Sequence, residues 1–148
     1  MKLVNPSLTI PAKIHYALLA LLELASHFET ATPLRINEIA TRQPIPERYL
    51  EQIFNVLRRG GFVQSQRGAK GGYRLTREPH KITIAEVVKL IKGDCKESRA
   101  TLNLERELVL EVWQQAQSAS QAALQQYTLQ DLLQRCLSRK QTEPMFYI

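Results

Sequence analysis

Arg48, Tyr49, Gln52 and Arg58 fall within one short stretch, and the tract RGAKGG, from Arg67 through Gly68 and Lys70 to Gly72, follows it. A guanidinium and a carboxamide each hold paired hydrogen-bonding groups in a plane, the geometry that reads guanine and adenine edges respectively. Bases set among glycines let backbone approach a phosphate ridge or a narrow groove without side-chain clash. Lys13 and helix amides add contacts that position a polyanion without reading it. Each group alone also has a plainer role: Arg48 and Gln52 as a solvated helix face, Tyr49 as a core edge, RGAKGG as a flexible turn. The glycines do not form a nucleotide-phosphate loop, because the GxxxxGK[ST] spacing is missing.

Charge distribution favours the polyanion. The chain has 148 residues and a formal net charge of +6. Residues 1–92 hold fourteen Lys/Arg against seven Asp/Glu, whereas residues 93–148 hold six against seven. Between Arg58 and Lys81 seven bases face Glu78 alone, a density suited to a phosphate backbone.

The elements that must position these groups are legible from periodicity. Ile14, Ala17, Leu18, Leu21, Leu22 and Ala25 place a helix over Ala12 to Ser26, and Leu34, Ile36, Ile39 and Ala40 mark a short second one ending at Gln43 and Pro44. Pro46 suits a first helical position, and Leu50, Ile53, Phe54 and Leu57 stripe the third helix, which Gly60 and Gly61 end. At its start Glu47, Arg48, Tyr49 and Gln52 are candidates to face base edges. Phe62 to Gln66 and Tyr73 to Thr76 read as strands of a basic-tipped hairpin. Thr83 caps a fourth helix closed by Gly93. Thr101 to Gln126 forms a long helix with Leu104, Leu108, Val112, Trp113, Ala116, Ala119, Ala123 and Leu124 on one face. Thr128, with Asp131 three residues on, caps a last helix whose buried stripe is Leu129, Leu132, Leu133 and Leu137.

The expected fold is mainly α with a small β-hairpin: a winged helix-turn-helix domain over 1–92, a connector over 93–100, a long dimerisation helix and packing helix over 101–138, and a tail over 139–148. A helix as long as the fifth wants a partner, so a homodimer is expected. The apolar run Ala17 to Leu22 is too short to cross a bilayer and Met1 to Pro11 contains polar residues and two prolines, so no membrane association and a cytoplasmic location are expected. Cys95 and Cys136 form neither a disulfide framework nor a CxxC zinc pattern. An enzyme is not expected, since His15, His27 and His80 are dispersed and no nucleophile elbow or carboxylate pair occurs. The alternative to a double-stranded DNA reader is a basic RNA-binding or protein-interaction scaffold without operator specificity, against which the chain lacks an array of stacking aromatics.

The string PERYLEQIFNVLRRGGFVQSQRGAKGGYRL, Pro46 to Leu75, strongly resembles the Rrf-two (BadM-like) family of bacterial winged-helix transcription regulators. The resemblance extends to Lys13–Leu24, to EIA at Glu38–Ala40, to ITIAEVV at Ile82–Val88, to Trp113 and to TLQDLL at Thr128–Leu133. It implies a homodimer on a partly palindromic operator, with the long helix pairing protomers and the final helix packing on the partner. Arg48, Tyr49, Gln52 and Arg58 would be recognition-helix contacts, and Arg67 with Gly68 the wing contact. Sensing members carry three cysteines and often a fourth ligand around an iron–sulfur cluster. Counting back from Trp113, Cys95 matches the first cysteine, but Thr101, Glu107 and Leu110 take the other positions. No cofactor is therefore assigned; a cluster through Cys95 and Cys136 is the open alternative, although Leu132 and Leu133 beside Cys136 suggest a buried structural thiol. Members without the cysteines respond through a metabolite or a regulatory protein, which leaves such an effector as a further expected partner.

Overall fold

The computed structural model describes residues 9–93 and 103–142. Cys95, Thr101, the connector beyond Gly93 and the terminal residues 1–8 and 143–148 lie outside the described residues.

Helix α1 (Ala12–Ser26) is the hub. It buries Ile14, Ala17, Ala20, Leu21, Leu24 and Ala25, a face rotated from the expected stripe so that Leu18 and Leu22 are only half-buried and Ala20 and Leu24 take the centre; helices α3 (Glu47–Arg59), α4 (Ile84–Lys92) and α6 (Leu129–Thr142) and strand β2 (Gly72–Leu75) all pack on it. The small residues Ala17, Ala20 and Ala25 let those neighbours approach closely. Helix α2 (Ile36–Arg42) is short and fixed by Ile39, which is fully buried. Leu34, expected within this helix, lies outside it: its N–H donates to the Tyr73 carbonyl at 2.9 Å and its carbonyl accepts from Tyr73 N–H at 2.7 Å. Extended pairing with the hairpin satisfies both backbone groups of a buried residue, which a helix start would not.

Leu50, Ile53, Phe54 and Leu57 of α3 are all fully buried, the i, i+3, i+4, i+7 pattern of a helix with one dry face. Pro46 stands one position before the expected one, as N-cap, with an extended backbone at ψ 130°. Its carbonyl accepts from the Tyr49 and Leu50 amides, both at 3.1 Å, while its own ring costs the helix no donor. Strand β1 (Val63–Gln66) pairs antiparallel with β2, Val63 opposite Leu75 and Gln66 opposite Gly72. β1 thus starts one residue later than expected but ends where expected, β2 lies one residue earlier, and Phe62 and Thr76 sit just beyond the ladder, joined by the Thr76 N–H donating to the Phe62 carbonyl at 3.0 Å.

A 3-10 turn at Pro79–Lys81 leads to α4, where the expected cap forms reciprocally: Thr83 Oγ1 accepts from Glu86 N–H at 3.1 Å and Glu86 Oε2 accepts from Thr83 N–H at 3.0 Å. Partial burial pushes the Glu86 carboxyl up, but the Thr83 amide and the Arg77 guanidinium, 3.3 Å away, outweigh it and hold the group below its ordinary value. The same exchange starts α6, with Thr128 N–H donating to Asp131 Oδ2 at 2.9 Å and Asp131 N–H donating to Thr128 Oγ1 at 3.1 Å.

Helix α5 (Leu104–Gln125) buries no residue. Of its expected single face, Leu124 turns instead toward its own domain, half-buried against the core, while Leu104, Leu108, Val112 and Trp113 stand 52–68% exposed. The start of α6 is sewn to the start of α4 by an isolated bridge: Ile84 N–H donates to the Tyr127 carbonyl at 2.9 Å and Leu129 N–H to the Ile82 carbonyl at 3.0 Å. Leu129 is fully buried and Leu132 and Leu133 are half-buried, but Leu137, expected in the stripe, is 53% exposed. The last helix passes beyond the edge of the domain there, continuing to Thr142 through the start of the expected tail. Among the described residues no helix is long and apolar enough to cross a membrane.

Candidate nucleic-acid interface

Burial of the α3 stripe fixes what the helix shows to solvent. At 3.6 residues per turn, the positions opposite Leu50, Ile53, Phe54 and Leu57 are Arg48, Gln52, Asn55 and Arg59, and all four are exposed. They form a ridge about 16 Å long along the helix. Arg48 and Gln52 were expected there. Asn55 and Arg59 continue the same i, i+4, i+7, i+11 series, a signal present in the sequence but separable from the flanking charges only once the buried face is known. Arg58 is exposed on the flank of the ridge, beside the side that carries Glu47 and Glu51.

Tyr49 differs from its expected neighbours. It is half-buried, and its ring meets Tyr16 of α1 edge-on, with centroids 5.3 Å apart and planes at 88°. That contact anchors the first turn of α3 to α1. Lys13, in the first turn of α1, is exposed.

The hairpin tip is built rather than slack. Arg67, Gly68 and Lys70 are exposed, and Gly71 N–H donates to the Gly68 carbonyl at 2.9 Å to close the turn. Gly68 adopts φ +109° and Gly72 φ +147°, conformations that favour glycine. A Cβ at Gly72 would also stand 2.5 Å from the Leu34 carbonyl oxygen, so the close pairing of Leu34 with β2 requires its absence. Beneath the tip, Arg35 donates from Nη2 to the Ala69 carbonyl. Arg35 itself precedes α2, and its N–H donates to Glu38 Oε1 at 3.2 Å. Sequence alone did not mark this strut, because its partner lies thirty-four positions away. Phe54 of α3 packs on Tyr73 of β2 with centroids 4.5 Å apart, so helix and hairpin share one rigid base.

Two of the four positions that match the family sensor lie among the described residues. Glu107 and Leu110 lie in the first turns of α5, and leucine has no donor atom; Cys95 and Thr101 lie outside the described residues. Cys136, expected to be buried, is an exposed thiol on α6, because that part of the helix lies past the domain's edge. Among the described residues no three His, Cys, Asp or Glu side chains are grouped to hold a metal ion.

Arg35→Ala should free the hairpin tip without unfolding the domain. Amide exchange at Gly71 should accelerate while global stability falls by only about 0.5–1.5 kcal/mol; hydrogen exchange read alongside urea unfolding checks both, and an unchanged Gly71 rate would remove the strut's role.

Residues 10–135 match the family model described as Rrf2, iron-dependent transcriptional regulator. The chain is 48% identical over 86 residues to a putative rrf2-like HTH-type transcriptional regulator of Rhodobacter capsulatus, a match that spans 57% of each protein. It is 36% identical over 140 residues to the HTH-type transcriptional regulator CymR of Bacillus subtilis, covering 94% of this chain and 99% of that one. The solved structure of CymR, described as the global cysteine regulator of that organism, superposes with a TM-score of 0.71 over 86% of this chain and 98% of CymR. That of IscR from T. potens superposes with a TM-score of 0.73 at 35% identity, over 88% of this chain and 89% of that one.

Proposed function

The chain belongs to the Rrf2 family of winged-helix transcriptional regulators, which are not enzymes, and from that premise we propose that it reads a partly palindromic operator as a homodimer. The observation that carries this reading is the outward ridge of Arg48, Gln52, Asn55 and Arg59 set beside a rigid basic wing. In the proposed complex the ridge enters the major groove, with Arg48 and Gln52 hydrogen-bonding base edges from the N-terminal half of α3. Arg67, Gly68 and Lys70 bring the wing against the backbone or minor groove, and Lys13 and Arg58 hold phosphates at the margins. Tyr49 acts through its contact with Tyr16, setting the entry angle of α3 rather than reading a base.

The homodimer reading rests on α5. Leu104, Leu108, Val109, Val112 and Trp113 stand 52–69% exposed along α5, an apolar stretch of the kind that marks a protein–protein interface, and pairing with a second copy covers it by two-fold symmetry. Two copies present two recognition helices, which is why a partly palindromic operator follows. The regulator is tuned by a signal. The family's description names iron, but at the matching sensor positions one thiolate at Cys95 and a carboxylate at Glu107 do not close the sites of a cluster; the alternative donor set would add the exposed Cys136 of α6. Our reading is therefore a member without the usual cluster, answering to a metabolite or a regulatory protein.

A competition gel shift between duplex from upstream of the protein's own gene and unrelated DNA or RNA tests the function directly. In that assay Arg67→Ala should weaken binding to every duplex and lower the salt slope by about one, whereas Gln52→Ala or Arg48→Ala should relax preference at particular base pairs, costing about 1–3 kcal/mol. A wing variant that changed sequence preference but not salt dependence would reverse these roles.

Light scattering should return twice the 17.0 kDa chain mass, and Leu108→Glu with Val112→Glu should give a folded monomer with weakened operator binding. A wild-type monomer at micromolar concentration would defeat the dimer and the palindrome together.

Protein purified and reconstituted without oxygen should be colourless, with negligible iron and sulfide, and its operator affinity should ignore iron chelators. Stoichiometric iron and sulfide, lost in Cys95→Ala, would make Cys95 a cluster ligand.

A further inference from the structure

The seam between α4 and α5 is polar where two packed helices would ordinarily meet through apolar side chains. Ala85 of α4 is buried, and Gln121 of α5 donates its Nε2 to the Ala85 carbonyl at 3.1 Å. Lys89 and Lys92 stand four and seven positions beyond Ala85 and so continue the same side of α4. Facing them across a cleft of about 450 Å³ are Gln114, Gln117 and Ser118 of α5, in the order that antiparallel helices require. The cleft is open to solvent: apart from half-buried Gln121, the residues that line it are exposed.

Among the described residues the charges lining the cleft have one sign. Among the described residues no carboxylate lines it, and neither lysine has an ion-pair partner. Two ammonium groups three positions apart on one helix face repel each other, and the C-terminal carbonyls of α4 offset only part of that repulsion. The opposite wall adds amides and a hydroxyl, which donate hydrogen bonds to anionic oxygen.

We propose that this cleft binds a small polyanion, a phosphorylated or polycarboxylate metabolite, between the ammonium groups of Lys89 and Lys92 and the donors Gln114, Gln117 and Ser118. The proposal rests on the regulator reading above and supplies its signal. Helix α4 packs on both α1 and α3, and Gly60 at the end of α3 lies against Leu90, while α5 carries the face assigned to the partner copy. A ligand bridging α4 and α5 therefore sets the angle between the recognition helix and the dimer axis, and with it the spacing of the two recognition helices.

Titration calorimetry of the full chain with inorganic pyrophosphate and, separately, with citrate at matched ionic strength tests the site without DNA. At least one probe should bind saturably, and Lys89→Gln with Lys92→Gln should weaken that binding by roughly tenfold, whereas the equal charge loss of Lys81→Gln with Lys140→Gln should leave it unchanged. Binding of pyrophosphate alone points to a phosphorylated ligand, of citrate alone to a polycarboxylate. No saturable binding of either at millimolar concentration, or equal loss in the control variant, overturns the site. Operator affinity measured by fluorescence anisotropy with and without the bound probe should shift at least about threefold, a small coupling on the allosteric scale; probe binding with no shift overturns the signalling role. A chain that binds the probe through these lysines but binds no operator would leave the site standing and overturn the regulator reading instead.

Discussion

One buried contact sets the orientation of everything that faces outward: the apolar side of α3 against α1 and the hairpin. Leu50, Ile53, Phe54 and Leu57 have no exposure to spare, so α3 has one rotation about its axis that keeps them dry. That rotation points Arg48, Gln52, Asn55 and Arg59 the other way. Because Phe54 also packs on Tyr73, the wing inherits its position from the same contact. Losing the Phe54 side chain would cost about 3–5 kcal/mol in a core of this kind, and would also unfix helix and wing relative to each other. Stability and aim are therefore carried by the same side chains.

What was legible in the sequence was what is local. The bounds of α1 follow from Pro11 and an unbroken apolar period, and the caps at Thr83 and Thr128 follow from Glu86 and Asp131 three positions on. The pairing of Leu34 with Tyr73 and the reach of Arg35 to Ala69 depend on partners more than thirty positions away and left no local trace. Tyr49 could not be sorted from Arg48 and Gln52 until Tyr16 was seen against it. The same holds for Leu137 and Cys136: spacing places them on a leucine-lined face, but the domain ends before the helix does.

Helix α5 stands apart from this logic. It touches the domain through Gln121 and Leu124 and leaves its larger apolar residues in water. A helix so placed is marginal alone in energy but well suited as a lever, since few contacts oppose a change in its angle.

The bridge between Thr83 and Thr128 has a topological consequence. It pins the two ends of the chain that runs out through α4 and α5 and returns at α6, so this whole excursion is a loop with a closed neck. The entropy of closing a loop grows only with the logarithm of its length, about 0.6 kcal/mol for each doubling. Residues can thus be added or exchanged between α4 and α5 at little thermodynamic cost, while the neck keeps α6 seated on α1 and the reading head undisturbed. An architecture of this kind can change what lies in that stretch without re-evolving α3 or the hairpin.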